Sequence, residues 1–277
     1  MTENFLKNMA KGSFKRFQVA ADSLAEKDLL SLCESMEHLE AIDLPSNDFH
    51  IITEIKKQSP SMGRLAAESF DLEQQAMSYI DGGASLLSVL TEPSKFSGRL
   101  EDLQLVADLE HSIPVMRKDF LVHPYQVSEA RYHGANGVLI ILAIVDEGQI
   151  RAMIQRAIDH GMFVLLEAFT KKELHLATRI LTMFADNSEQ LLVGVNCRDL
   201  NTLEVHFSNF EKLATDLPSN TICVAESGVN NLEDLQCVIE MGFGAALIGT
   251  ALMQSNKPTA KLHEMKQFAR KMMVAKP

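Results

Sequence analysis

The sequence predicts an α/β fold, a (β/α)8 or TIM barrel with an N-terminal helical extension. Three observations carry that prediction. From residue 50 onward, short and strongly apolar segments recur, each followed by a polar loop and an amphipathic stretch, and they number eight. The segments are uniformly apolar rather than alternating, which suits strands covered on both faces, as in a parallel sheet. A length of 277 residues fits a closed barrel, which routinely uses about 250 residues as one domain.

Taken in order, residues 1–49 lack the alternation. Within them FLKNMAKGSFKRF and SLAEKDLLSLCESMEHL read as amphipathic helices covering one barrel end. The strands follow at HIITEI (50–55), SLLSVL (85–90), IPVMR (113–117), GVLIILA (137–143), MFVLLE (162–167), LLVGVN (191–196), TICVAE (221–226) and AALIG (245–249). Between them, EGQIRAMIQRAIDHG and NLEDLQCVIEMGFG have apolar residues at helical spacing and end at Gly161 and at Gly242 or Gly244. A doubly wound open sheet is the structural rival, but it usually has fewer strands and a glycine-rich turn after the first, and no GxGxxG follows any strand here. The expected organisation is an extension over 1–49 and a catalytic barrel over 50–277, one domain overall.

Composition narrows the function. The net charge is −11 with no long Lys/Arg run, so nucleic acid is a poor partner and any bound anion must be met by local cations. The four cysteines lack metal-type CxxC spacing and the first residues have no apolar signal core, which predicts a reduced, cytoplasmic protein. The longest apolar run, Gly137 to Val145, falls far short of the ~20 residues that cross a bilayer. No membrane association is expected. The nine histidines form neither HExxH nor a His-x-His pair, so no metal is expected.

In a barrel the chemistry lies where the strands end. Strand one delivers Glu54 and Lys56; strand two, Thr91 and Glu92; strand three, Lys118 and Asp119; strand five, Glu167; strand six, Asn196 and Arg198. Strand seven delivers Glu226, Ser227 and Gly228, and strand eight Gly249 and Thr250. A single charge after a strand is usually the start of a solvated loop; convergence from seven ends is not. Lys56, Lys118 and Arg198 facing one another suit a substrate with several negative charges. Glu54, Glu167 and Glu226 among them supply groups whose pKa values burial raises and cations lower, so donor and acceptor can separate. The small residues after strands seven and eight, with Ser59 opposite, point to a phosphate. Cys197 reads as a packing residue, and no GxSxG supports a serine hydrolase.

The stretches EIKKQSPSMG, SVLTEPSKFSGRLEDL, PVMRKDF, GANGVLIILAIVD, GVNCRDLNTLEV, AESGV and IGTALM together resemble the indole-3-glycerol phosphate synthase family of tryptophan biosynthesis. The resemblance implies ring closure of 1-(2-carboxyphenylamino)-1-deoxyribulose 5-phosphate with loss of carbon dioxide and water, and no cofactor. It implies Lys118 as general acid, Lys56 as anion holder and helper in dehydration, and Glu167 as partner acid and base. Glu54, Asn196 and Glu226 would orient lysines and substrate hydroxyls, and Arg198 would complete the electrostatic frame. Ser59, Ser227, Gly228, Gly249 and Thr250 would surround the phosphate, and Phe96, Phe120 and Leu139 would pack against the anthranilate ring. The chain departs from the family where Ala168 and Phe169 follow Glu167, at Thr250 in place of the commoner serine, and through most of the N-terminal region. A related phosphate-binding barrel enzyme with another substrate and a non-catalytic phosphate-binding barrel remain alternatives. The motifs carry no information on association with other tryptophan-pathway enzymes.

Overall fold

The computed structural model describes residues 5–65, 70–199 and 202–275. The barrel strands are β1 (His50–Ile55), β2 (Leu86–Leu90), β3 (Val115–Lys118), β4 (Gly137–Ile141), β5 (Phe163–Ala168), β6 (Leu191–Asn196), β7 (Cys223–Glu226) and β8 (Ala245–Ile248). They close in sequence order, each parallel to its neighbours, with β8 pairing back onto β1. Every strand residue is buried except Lys118, which is partly open. That is the burial the uniformly apolar runs predict. Boundaries differ from the apolar runs by a few residues, most at β3 and β7, because pairing rather than hydrophobicity decides where a strand begins.

The extension forms α1 (Phe5–Ser23) and α2 (Glu26–Glu34). The barrel helices are α3 (Leu72–Asp81), α4 (Leu100–Ala107), α5 (Pro124–Tyr132), α6 (Glu147–Asp159), α7 (Lys171–Met183), α8 (Ser208–Ala214), α9 (Leu232–Glu240) and α10 (Pro258–Ala275). Their N-termini use side-chain caps: Asp146 accepts from Gln149 N, Asn231 accepts from Asp234 N, and Thr170 forms a reciprocal box with Glu173. Gly161 and Gly242 take left-handed backbone angles past α6 and α9, so Gly242 rather than Gly244 ends the second of these helices.

Alternation along each strand separates two cores. Outward residues such as Ile51, Val89, Val138, Leu166, Val193 and Ile248 pack against the helix ring. Inward residues such as Ile52, Leu86, Met116, Leu139, Leu165, Leu192 and Val224 fill the barrel. The inward series then turns polar at the C-terminal ends, where it continues through Glu54, Lys118, Glu167, Asn196 and Glu226.

The expectation that both N-terminal helices cover one end needs correction. The first, α1, lies at the C-terminal mouth: Met9 is buried among the inward core, and Arg16 reaches Asp119 at the end of β3. The second, α2, runs along the flank, where Cys33 Sγ donates to Ser128 O of α5. The segment after it goes to the opposite end, with Pro45 O bonded to the His50 ring where β1 begins. An amphipathic helix fixes which of its faces is buried, not which surface buries it. The family motif positions Leu200 and Asn201, and the outermost residues of both expected segments, lie outside the described residues.

Candidate active site

The C-terminal ends of the strands surround a cavity of about 370 Å³. Every residue to which the family resemblance gives a catalytic or binding role lines it: Glu54, Lys56, Ser59, Lys118, Glu167, Asn196, Arg198, Glu226, Ser227, Gly228, Gly249 and Thr250, with Phe96, Phe120 and Leu139. Parallel register explains part of this convergence, since Glu167 aligns with Gly194, and Asn196 with Glu226.

Lys118 occupies the centre. Its Nζ donates to Glu226 Oε2 at 2.7 Å and lies 3.3 Å from Glu167 Oε2. Burial alone would lower the lysine pKa, but Glu226, Glu167 and Glu54 outweigh it and hold the ammonium well above its ordinary range. Glu226 moves the other way for a carboxyl: burial and then the Glu167 charge push it up to about 8, against the opposing pull of Lys118. Its Oε1 is buried without a hydrogen-bond partner among the described residues. Gly194 makes room for this arrangement, because a Cβ at that position would overlap the Glu226 carboxylate.

The second cation pairs locally. Lys56 Nζ donates to Glu54 Oε2 at 2.5 Å, and burial of Glu54 is outweighed by Lys56 and Lys118, which keep its pKa below the usual carboxylate range. A Cβ at Gly249 would strike the Glu54 carboxylate and come within 3.0 Å of Lys56 Nζ. The absence of a side chain there keeps the lysine end open to the cavity.

Around these charges lie the small and apolar parts. Ser227 and Gly228 both have left-handed backbone angles, φ 68 and 79; a non-glycine residue in that region costs of order 1–3 kcal/mol and such strain concentrates at ligand sites. Ser59 Oγ accepts from Met62 N, so it serves the tight hairpin made by Gln58–Ser59 and Gly63–Arg64 as well as facing the cavity. Arg198 Nη1 donates to Ser61 Oγ at 3.1 Å and to Leu203 O at 2.8 Å, tying the β6 loop to the β1 loop. Phe96 and Phe120 sit with ring centroids 6.1 Å apart.

Some nominated positions behave differently. Thr91 and Glu92 are buried away from the cavity: Thr91 Oγ1 donates to Asp119, and Glu92 caps the short helix Pro93–Phe96 by accepting from Ser94 N and Lys95 N. Cys197 is buried with its thiol pushed up to about 12, chiefly by burial, which suits packing and not attack. Three contributors have no role assigned from the sequence. Phe5 of α1 lines the cavity and meets Phe120 edge-on at 6.0 Å. Ser61 carries the Arg198 contact, and Asp119, noted only as a strand end, anchors a buried network. The SPS triplet held a signal for Ser61; nothing local marks Phe5.

The comparisons agree with this geometry. Residues 9–265 match the family model described as indole-3-glycerol phosphate synthase. A protein of that name from Mycolicibacterium smegmatis is 40% identical over 255 residues, spanning 89% of this chain and 90% of the relative. Another of the same name from Mycobacterium ulcerans is 43% identical over 215 residues, covering 78% of this chain and 75% of the relative. Among solved structures, 3-hexulose-6-phosphate synthase from Salmonella typhimurium overlays with a TM-score of 0.63 at 10% identity, covering 81% of this chain and all of that one, a likeness of fold alone. The chain therefore belongs to the indole-3-glycerol phosphate synthase family.

Proposed function

We propose that this protein is the carboxy-lyase that closes 1-(2-carboxyphenylamino)-1-deoxyribulose 5-phosphate to indole-3-glycerol phosphate in tryptophan biosynthesis. The observation that carries this reading is a lysine at the strand ends held by two buried carboxylates in a cavity whose other walls are aromatic on one side and small and polar on the other. That asymmetry matches a substrate with a planar aromatic carboxylate at one end and a phosphate at the other.

Each residue then has a task. Phe5, Phe96, Phe120 and Leu139 pack against the ring, while Ser59, Ser227, Gly228, Gly249 and Thr250 enclose the phosphate. Lys56 neutralises an anionic group, held forward by Glu54. Folding the substrate so that its ring carbon meets its own carbonyl is worth up to roughly 7–11 kcal/mol in favourable intramolecular cases. Lys118, delivered protonated, donates to the ketone oxygen as the ring carbon attacks. The ring carbon becomes tetrahedral, and loss of carbon dioxide returns its electron pair to the ring. Glu167 then exchanges the protons needed for the hydroxyl to leave as water. Glu226, whose carboxyl burial pushes up to about 8, accepts from Lys118 Nζ and orients it. Asn196 and Arg198 fix the β6 loop, Asn196 Oδ1 accepting from Arg198 N. This chemistry draws on proton transfer and charge stabilisation by the chain itself. We assign the reaction to the cytosol, in keeping with four free cysteines.

Expression in a tryptophan auxotroph that lacks the synthase tests the reading. The wild-type chain should restore growth without tryptophan, and Lys118→Ala should not. Failure of the well-expressed wild type to restore growth would overturn it.

A further inference from the structure

Along α1, Phe5, Met9, Ser13, Arg16 and Phe17 recur at helical spacing and face the barrel. Met9 is buried in the inward core, Ser13 Oγ accepts from Gln126 Nε2 at 2.9 Å, and the Phe17 ring stacks on His123 at 3.9 Å. Arg16 is the cation of this stripe: Nη2 donates to Asp119 Oδ1 at 2.6 Å, and Nη1 lies 3.6 Å from Glu92. Asp119 immediately follows Lys118.

We propose that Arg16 is a positioning residue for substrate binding: through Asp119 it clamps α1 across the mouth and thereby holds Phe5 against Phe120. The inference rests on the function proposed above. Asp119 does not depend on Arg16 for its own place. It also accepts from Thr91 Oγ1 at 2.9 Å, Arg117 Nη2 at 3.2 Å and Phe120 N at 2.8 Å. Arg117 is itself fixed by Gln126 O and Glu129. Removing Arg16 therefore leaves the end of β3, and with it Lys118, held by several remaining bonds. The helix, by contrast, loses its ion pairs with Asp119 and Glu92 at the rim, while the Gln126 bond to Ser13 and the Tyr125 hydroxyl bond to Ala20 O still hold it further along. The loss falls on the wall that Phe5 provides, a binding element, rather than on the proton donor.

The test is steady-state kinetics on the full chain with the carboxyphenylamino substrate. Arg16→Ala should raise KM about tenfold while kcat stays within about twofold, the pattern of lost binding that is equal in ground and transition states. Arg16→Lys should recover most of the KM, because a shorter cation still reaches the Asp119 carboxylate. Phe5→Ala should raise KM alone, and adding it to Arg16→Ala should raise KM by less than the product of the two effects. Lys15→Ala, on the exposed side of α1, is the control and should match wild type. An unchanged KM in Arg16→Ala, a fall in kcat at constant KM, or fully multiplicative effects with Phe5→Ala would overturn the proposal. Should Arg16→Ala fail to fold, Arg16→Gln is read by the same criteria. Absence of product from the wild type would instead overturn the function on which the proposal rests.

Discussion

The two ends of the barrel are built from the same inward-facing positions yet do opposite things. Near the N-terminal end the inward residues are Phe163, Leu192, Val224 and Ala245, packed with Ile42, Leu44 and Ile222. Two to four residues further along the same strands the series reads Glu167, Asn196, Glu226 and Gly249, all facing the cavity. One end gains stability from apolar burial; the other spends it by burying charges that must be matched one against another. A parallel barrel permits this division because every strand passes from the first environment to the second in the same direction.

The comparison breaks most visibly at Lys118. Replacing it with alanine removes the proton donor and leaves Glu167 and Glu226 without their cation. General acid catalysis alone typically contributes about 10²–10⁴-fold, so kcat should fall by at least about 10²-fold while circular dichroism remains that of the wild type. The converse change is Phe163→Ala at the closed end, where a buried phenylalanine truncated to alanine costs about 3–5 kcal/mol. Urea unfolding should register that loss, and the folded fraction should keep its kcat within about twofold.

A subtler separation lies in pH. Because the folded-state pKa of Glu226 is raised to about 8, the unfolded chain releases this proton first. Its contribution to stability is therefore full below the ordinary glutamate value and declines as pH rises towards 8, beyond which both states are ionised. Glu226→Gln, which mimics the protonated form, should stabilise the protein at pH 8 relative to pH 5 when thermal midpoints of variant and wild type are compared. Ionised Glu226 also binds the Lys118 proton more firmly, so wild-type turnover should fall as pH passes about 8, and Glu226→Gln should flatten that limb. Glu54 has the opposite sign: its depressed pKa contributes stability above the ordinary glutamate value that is lost as acid is added. The smallest effect belongs to Thr250→Ser, which keeps the hydroxyl and removes a methyl. KM should change by no more than about twofold.

Legibility in the sequence followed the same division. Glu54 and Lys56 are two residues apart, so strand alternation alone places them on one side, and they are found paired. The same rule carries Lys118, Glu167, Asn196 and Glu226 to the mouth once each strand is recognised by its apolar run. Thr91 and Glu92 looked equivalent to these, but Thr91 is taken up by Arg117 and Asp119 and Glu92 by a helix N-terminus; a rim residue and a cap have the same sequence context. Phe5 and Arg16 were hidden for a different reason. Arg16 and Asp119 are 103 residues apart, and nothing in an amphipathic helix names the surface on which it settles. Phe169, one of the departures from the family pattern, is partly buried and packs with the inward core, so that position contributes apolar contact.

Whether the charged end of this barrel performs ring closure with decarboxylation and dehydration is decided by mixing purified protein with 1-(2-carboxyphenylamino)-1-deoxyribulose 5-phosphate and recording indole fluorescence and carbon dioxide together. One carbon dioxide should appear per indole formed, with no added metal or redox cofactor, and both signals should be lost in Lys118→Ala. Carbon dioxide without indole, or undiminished turnover in Lys118→Ala, would contradict this function.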